Sequence, residues 1–240
     1  MAQFPCVRSS DSEVSASIQR GDRNGLHSKV RGKTLTPTHR MTLVNIRPFQ
    51  STDHDALYQI CLRTGWGGGD ATEHYSDPRL LGHFYAAPYV KQDSGLCLIA
   101  TLNGVPSGYI LGTADSAGFR TWSETQWFPT LRERFPMPDE ADTSADAVLR
   151  RRMHSGYEPP DCARDYPAHL HIDLLPNLQG RGLGAQLMGR FFDILRERNC
   201  PAAHLVVNVA NTRAVAFYEK FGFHLVNSSP KHRVFGFKLS

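Results

Sequence analysis

The feature that most constrains this sequence is a strand, a glycine-rich turn and an amphipathic helix laid end to end near its C-terminus. Residues 168–175 alternate as a strand and stop at Pro176, and Gln179-Gly180-Arg181-Gly182-Leu183-Gly184 follows. Leu183, Leu187, Phe191, Ile194 and Leu195 then recur with a helical period until Asn199 and Pro201 end it. A helix with one apolar stripe must bury it against another element, and strands alternating with such helices point to a layered α/β fold. The pattern then repeats: residues 205–209 read as a strand, 211–221 as a helix closed by Gly222, and 223–226 and 234–239 as the last strands.

The glycine turn also carries chemistry. Its three alternating glycines let a ligand touch the main chain. The first turn of the following helix offers unpaired N–H groups with a partial positive charge, so a pyrophosphate would fit there. An ordinary glycine turn would read the same way. Gly180, Gly182 and Ala185 further satisfy the G-x-G-x-x-A spacing of a dinucleotide-binding turn. That alternative needs an acid at the end of the next strand to hold a ribose, whereas residues 205–209 contain Asn208 and no acid. No Gly-Lys-Ser/Thr occurs, which excludes a P-loop.

Upstream, residues 43–47 alternate as a strand, and Ser51 or Thr52 is placed to cap a helix carrying Leu57, Ile60 and Cys61 and ended by Gly65. Trp66-Gly67-Gly68-Gly69-Asp70 reads as a mobile loop, followed by a short helix at about 78–85. Residues 96–102 and 105–113 are apolar runs joined by Asn103-Gly104, the signature of an antiparallel hairpin. Residues 122–135 have helical spacing, and 136–167 are punctuated by proline, acidic in one half and carrying Arg150-Arg151-Arg152. Residues 115–167 are expected to form an insertion beside the core. At 240 residues and 40% hydrophobic, the chain can bury one principal domain.

Charge narrows the partners. The net +4 resides in residues 1–40, with seven basic against three acidic residues, and the remainder is balanced. A balanced domain without interleaved aromatic and basic residues is not built for nucleic acid. No apolar run approaches the roughly 20 residues that cross a bilayer. Five scattered cysteines form no C-x-x-C pair, which argues for reduced thiols and a cytoplasmic protein rather than a disulfide framework or a zinc site. Residues 1–40 carry few large apolar residues and show no sustained helical period, and are expected to be a disordered extension, with Met41 an alternative start before residues 41–240.

Two segments together carry a family resemblance. The first is Gln179-Gly180-Arg181-Gly182-Leu183-Gly184. The second, beginning 27 residues past Gly184, is Asn211-Thr212-Arg213-Ala214-Val215-Ala216-Phe217-Tyr218-Glu219-Lys220-Phe221-Gly222-Phe223. They resemble the Q/R-x-x-G-x-G/A and N-x-x-A-x-x-F-Y-x-x-x-G-F signatures of the GNAT acetyltransferases. Within that family, residues 64–89 and 170–184 look most like the acetyltransferase-like domain found at the C-terminus of O-GlcNAcases and as stand-alone proteins.

The resemblance implies a single mixed, mostly antiparallel and twisted sheet with splayed central strands and helices on both faces. It implies acetyl-CoA as cofactor, its pantetheine arm lying like an added strand along Leu174 and Leu175. The diphosphate would rest on Gln179, Gly180, Arg181, Gly182, Leu183 and Gly184. Asn211 and Tyr218, seven residues apart, share a helix face with Ala214. Tyr218 falls at the family's general-acid position, where a phenol can protonate the departing thiolate.

The base is left more open. Asp173 is the candidate, although some relatives place the base on the opposite phase of the strand, where Ala168 and Leu170 stand here. His169, His171 and Asp173 alternate onto one side of that strand, a spacing that also suits a metal, yet no second ligand cluster accompanies it and no metal is expected. The acceptor site is expected from Trp66, Asp70, His74, Tyr85 and Tyr89. The expected reaction is acetyl transfer to a primary amine, small or on a protein, by direct attack in a ternary complex. The alternative is a non-catalytic acyl-CoA-binding module. A homodimer is compatible with the sequence.

Overall fold

The computed structural model of the protein describes residues 43–239. The expected extension over residues 1–40 and the start at Met41 lie outside them. Strand β1 (Val44–Pro48) leads into helix α1 (His54–Thr64), and a sharp turn leads to two short helices, α2 (Leu80–Tyr85) and α3 (Ala87–Asp93). The hairpin β2 (Cys97–Leu102) and β3 (Val105–Thr113) follows, then α4 (Ser116–Trp122), α5 (Phe128–Arg134) and α6 (Ala145–Ser155). The chain closes with β4 (Ala168–Leu174), α7 (Leu183–Glu197), β5 (Ala202–Asn208), α8 (Thr212–Phe221), β6 (His224–Ser228) and β7 (His232–Lys238).

The seven strands form one sheet in the order β1-β2-β3-β4-β5-β7-β6. Every neighbouring pair is antiparallel except β4 and β5, which run parallel and join only at Ala168↔Ala203 and His169↔His204. Beyond those two rungs the strands part. On their outer sides both are fully laddered, β4 from Thr113↔His169 to Gly108↔Leu174 and β5 from Ala202↔Lys238 to Asn208↔His232. The gap is therefore flanked by two well-ordered half-sheets.

Alternation along β4 distributes its side chains between two cores. Ala168, Leu170 and Ile172 pack with Leu187, Phe191 and Tyr218 beneath α7 and α8. His169, His171 and Asp173 face the other side, where α1 to α6 bury Leu57, Tyr89, Tyr109, Phe119, Phe128 and Met153.

Several expectations change in detail. The start of α1 is fixed not by Ser51 or Thr52 but by Asp53, which accepts both guanidinium arms of Arg47 at 2.6 and 2.7 Å and the Gln50 N–H at 2.8 Å. The stretch after Gly65 is no open loop: Trp66 and Gly69 exchange both main-chain hydrogen bonds across Gly67 and Gly68, whose φ of +60° and +96° suit glycine. Residues 136–167 hide helix α6, and residues 115–167 pack into the core rather than beside it, through Phe119, Phe128, Leu131, Leu149 and Met153. The arginine run on α6 is used internally. Arg150 donates to the Pro136 carbonyl, Arg151 to those of Asp139 and Asp142, and Arg152 to the Tyr85 hydroxyl.

Candidate functional site

Where β4 leaves β5, a cleft of about 670 Å³ opens between Asp173 and Leu174 of β4, the turn before α7, and Asn211, Ala214 and Tyr218 of α8. Its floor is main chain. Gly180 and Gly182 hold φ of +74° and +73°, and a Cβ on either would enter open space. Gly182 begins α7 in this left-handed conformation, and no side chain caps the helix. The N–H groups of its first turn therefore point at the cleft without a side-chain acceptor, a ready place for an anion. Arg213 and Lys220 stand on the rim. Any cradle for a diphosphate needs these three things: exposed donors, room at the backbone and positive charge.

Gln179 ties the turn in place. Its amide NH2 donates to the Leu174 carbonyl at 2.7 Å, and its Oε1 accepts from Arg213 at 2.7 Å, so one side chain links β4, the turn and α8. Asn211 caps α8, its Oδ1 accepting the Ala214 N–H at 3.0 Å, and is itself buried. A Cβ on Gly68 would lie 3.0 Å from Asn211 Nδ2, so the tight turn after α1 seats directly on the start of α8.

The Tyr218 ring packs among Phe217, Phe223 and Phe235, with centroids 5.4, 5.6 and 6.2 Å away. Burial pushes its phenol well above the ordinary tyrosine value, and the nearby Asp173 carboxylate adds to the shift. It is a phenol, never a phenolate, at neutral pH. Burial likewise pushes the Asp173 carboxyl up, with the Tyr109 and Thr64 hydroxyls opposing. A carboxyl raised in this way beside a cleft is a better proton acceptor than an ordinary surface carboxylate.

Of the residues singled out in the sequence, Asp173, Leu174, Gln179, Gly180, Gly182, Leu183, Gly184, Asn211 and Tyr218 all line this cleft. Arg181 is exposed and does not line it. Leu175 packs its side chain into the opposite core and gives its N–H to the Ser107 carbonyl at 2.9 Å. The rim residues Arg213 and Lys220 carry no sequence signal of their own, because isolated cations on a helix have no distinguishing pattern.

The five residues expected around an acceptor do not assemble. Trp66 stacks on His74, with centroids 3.6 Å apart, and neither lines a described cleft. Asp70 is engaged by Thr72, whose hydroxyl and N–H hold its carboxyl below the usual range. Tyr85 and Tyr89 instead line a second cleft of about 270 Å³, with Arg152, Tyr157, His169, His171 and His204. Among the described residues no group of three or more His, Cys, Asp or Glu is placed to hold a metal ion. No described helix is long and apolar enough to cross a membrane.

A parallel seam opening over a main-chain anion cradle, with a buried phenol across from it, marks an α/β protein built to take an anionic ligand at the ends of its central strands. Residues 57–223 match the acetyltransferase (GNAT) family, and the chain belongs to that family. The solved structure of SsHAT is 37% identical, with a TM-score of 0.75 over 82% of this chain and 98% of that one. YncA, a putative acetyltransferase of Salmonella typhimurium solved with its cofactor acetyl-CoA, shares the fold at 14% identity and a TM-score of 0.50, over 82% of this chain and 94% of that one. Mycothiol acetyltransferase of Beutenbergia cavernae is 44% identical over 64 residues, which are 27% of this chain. The match spans 21% of that relative's length.

Proposed function

We propose that the protein is an acetyl-CoA-dependent N-acetyltransferase acting on a primary amine by direct attack in a ternary complex. The observation that carries this reading is the two-rung seam between β4 and β5 opening directly over the glycine cradle. The residues present suit the cofactor: Gly180 and Gly182 leave room where a side chain would intrude, and the uncapped start of α7 offers donors. When bound, acetyl-CoA would supply an activated acyl group on sulfur.

The chain's own residues would do the rest. Main-chain donors from Gly180 to Gly184 would hold the diphosphate, with Arg213 and Lys220 at the rim to screen its charge. The inner edge of β4 at Leu174 offers main-chain partners to an extended amide chain. Tyr218 keeps a proton at Oη for the departing sulfur. Asp173 takes the proton released as nitrogen bonds to carbon, and returns it to Tyr218. Most of the rate would come from holding amine and thioester together, with about 10²–10⁴-fold more from placed acids and bases.

Thiol release from acetyl-CoA across a panel of amines tests this reading. Acceptor-dependent release supports it. Tight acetyl-CoA binding with no release for any amine would leave a binding module instead.

A further inference from the structure

Two cations line the cleft over the glycine turn, and they are placed differently. Arg213, Phe217 and Lys220 follow one another at i, i+4 and i+7 along α8 and so share one face of it. Arg213 meets the turn at its first residue, donating to Gln179 Oε1 at 2.7 Å. Phe217 stands beside its last, where a Cβ on Gly184 would lie 3.2 Å from the ring. Lys220 comes about 5 Å further along the helix axis, past the end of the cradle.

The surroundings of Lys220 leave its charge available. It is exposed, and among the described residues it has no hydrogen bond, ion pair or ring contact. The acid next to it in the chain, Glu219, is paired with Arg233 at 3.3 Å. The half-buried rings of Phe217 and Phe221, with centroids 6.1 Å apart, finish that end of the cleft with an apolar wall. Aromatic rings with one unpaired cation beside them suit a base and a phosphate carried by the same ligand.

Coenzyme A carries such a pair. Its diphosphate joins pantetheine to the ribose, and a further phosphate sits on the ribose 3′-oxygen near the base. Main-chain N–H groups serve the diphosphate. The 3′-phosphate is a monoester that gains a second negative charge close to neutral pH, and a full cation is its natural partner. Lysine, with rotatable donors on a long stem, can reach it from an exposed position. An acyl group borne by a carrier protein hangs on phosphopantetheine alone, without ribose, base or 3′-phosphate.

We propose that Lys220 determines the acyl donor: it receives the ribose 3′-phosphate of a free coenzyme A thioester, with the base against Phe217 and Phe221, and thereby selects that donor over acyl groups held on phosphopantetheine. This role presupposes the acetyl-CoA binding proposed above and adds the class of donor to it. Arg213, tied to Gln179, serves the turn and the diphosphate, so the two rim cations read different parts of one ligand.

The test is calorimetry of the full chain in low salt with coenzyme A, 3′-dephospho-coenzyme A and 4′-phosphopantetheine. The wild type should bind coenzyme A about tenfold more tightly than the dephospho form, as one charge-assisted hydrogen bond would give. Lys220→Ala should bring those two within about twofold by weakening coenzyme A alone, and Lys220→Arg should keep most of the preference. Phosphopantetheine should bind weakly, and equally to the wild type and Lys220→Ala. Arg213→Ala should weaken coenzyme A and its dephospho form alike and leave their ratio at about tenfold. A wild type indifferent to the 3′-phosphate would overturn the role, as would a Lys220→Ala variant that keeps the preference or loses affinity for both forms equally. If the wild type binds none of the three ligands, the acetyl-CoA reading itself fails; equal binding of coenzyme A and its dephospho form would leave that reading standing and remove only Lys220.

Discussion

The two sides of the sheet solve recognition differently. Beneath α7 and α8 the cleft is made of main-chain donors, open space at two glycines and a single buried phenol. On the α1 to α6 side, polar side chains are brought together from far apart in the chain. Tyr89 meets His169 across 80 residues, and Ser116 meets His169 across 53. Main-chain recognition compresses into a short string, because a turn and a helix start are local. Side-chain recognition scatters.

The largest effect expected concerns the cradle. Gly182→Val should weaken acetyl-CoA binding more than 100-fold by calorimetry, since a β-branched residue at φ +73° costs roughly 1–3 kcal/mol and places carbon in the space proposed for the diphosphate. Unchanged affinity would end the main-chain account of that side. Next comes Tyr218→Phe, expected to lower kcat about 100-fold while leaving the acetyl-CoA Kd within about twofold. Wild-type turnover would remove the phenol from the mechanism.

The other side should reveal itself through acid sensitivity. His83, whose Nδ1 lies 2.9 Å from the Tyr58 hydroxyl, is pushed down to about 4 by burial, with Arg134 adding to it. Its folded value lies below its unfolded one of about 6.5, so the unfolded chain binds a proton that the native chain refuses. The stability it contributes is whole above pH 6.5 and declines as pH falls toward 4, by roughly 2 kcal/mol after allowance for solvent screening. Urea unfolding at pH 7 and 4.5 should show that decline, and His83→Gln should flatten it. An equal slope in the variant would mean that other histidines of this side dominate.

The smallest effect tests the rim. Arg213→Ala should raise the acetyl-CoA Kd about fivefold in low salt and less at 0.5 M salt, as expected of an exposed cation. A salt-independent loss would instead point to the Arg213 to Gln179 bond holding the turn.

These differences track what could be read before the fold was known. The strand, turn and helix from 168 to 197 and the hairpin at Asn103-Gly104 are local in origin and lie where expected. The helix over Ala145–Ser155 was hidden by prolines on either side and by an arginine run that looks like a solvated face. Its arginines are spent on carbonyls and a phenol that only the tertiary fold supplies. Asp53 carries no local signal as the anchor of α1, because its partner Arg47 belongs to the preceding strand. Trp66 and His74 resemble a binding surface as letters, and as rings they satisfy each other.

The seam between β4 and β5 has a mechanical consequence. With two rungs at its narrow end, it works like the spine of a book, and the two leaves can breathe about it at little cost. Amides on the inner edges near Leu174 and Val206 should exchange with deuterium sooner than those between β2 and β3. Anything that bridges the leaves would slow them, so deuterium uptake along that spine would register whether the book is open or closed.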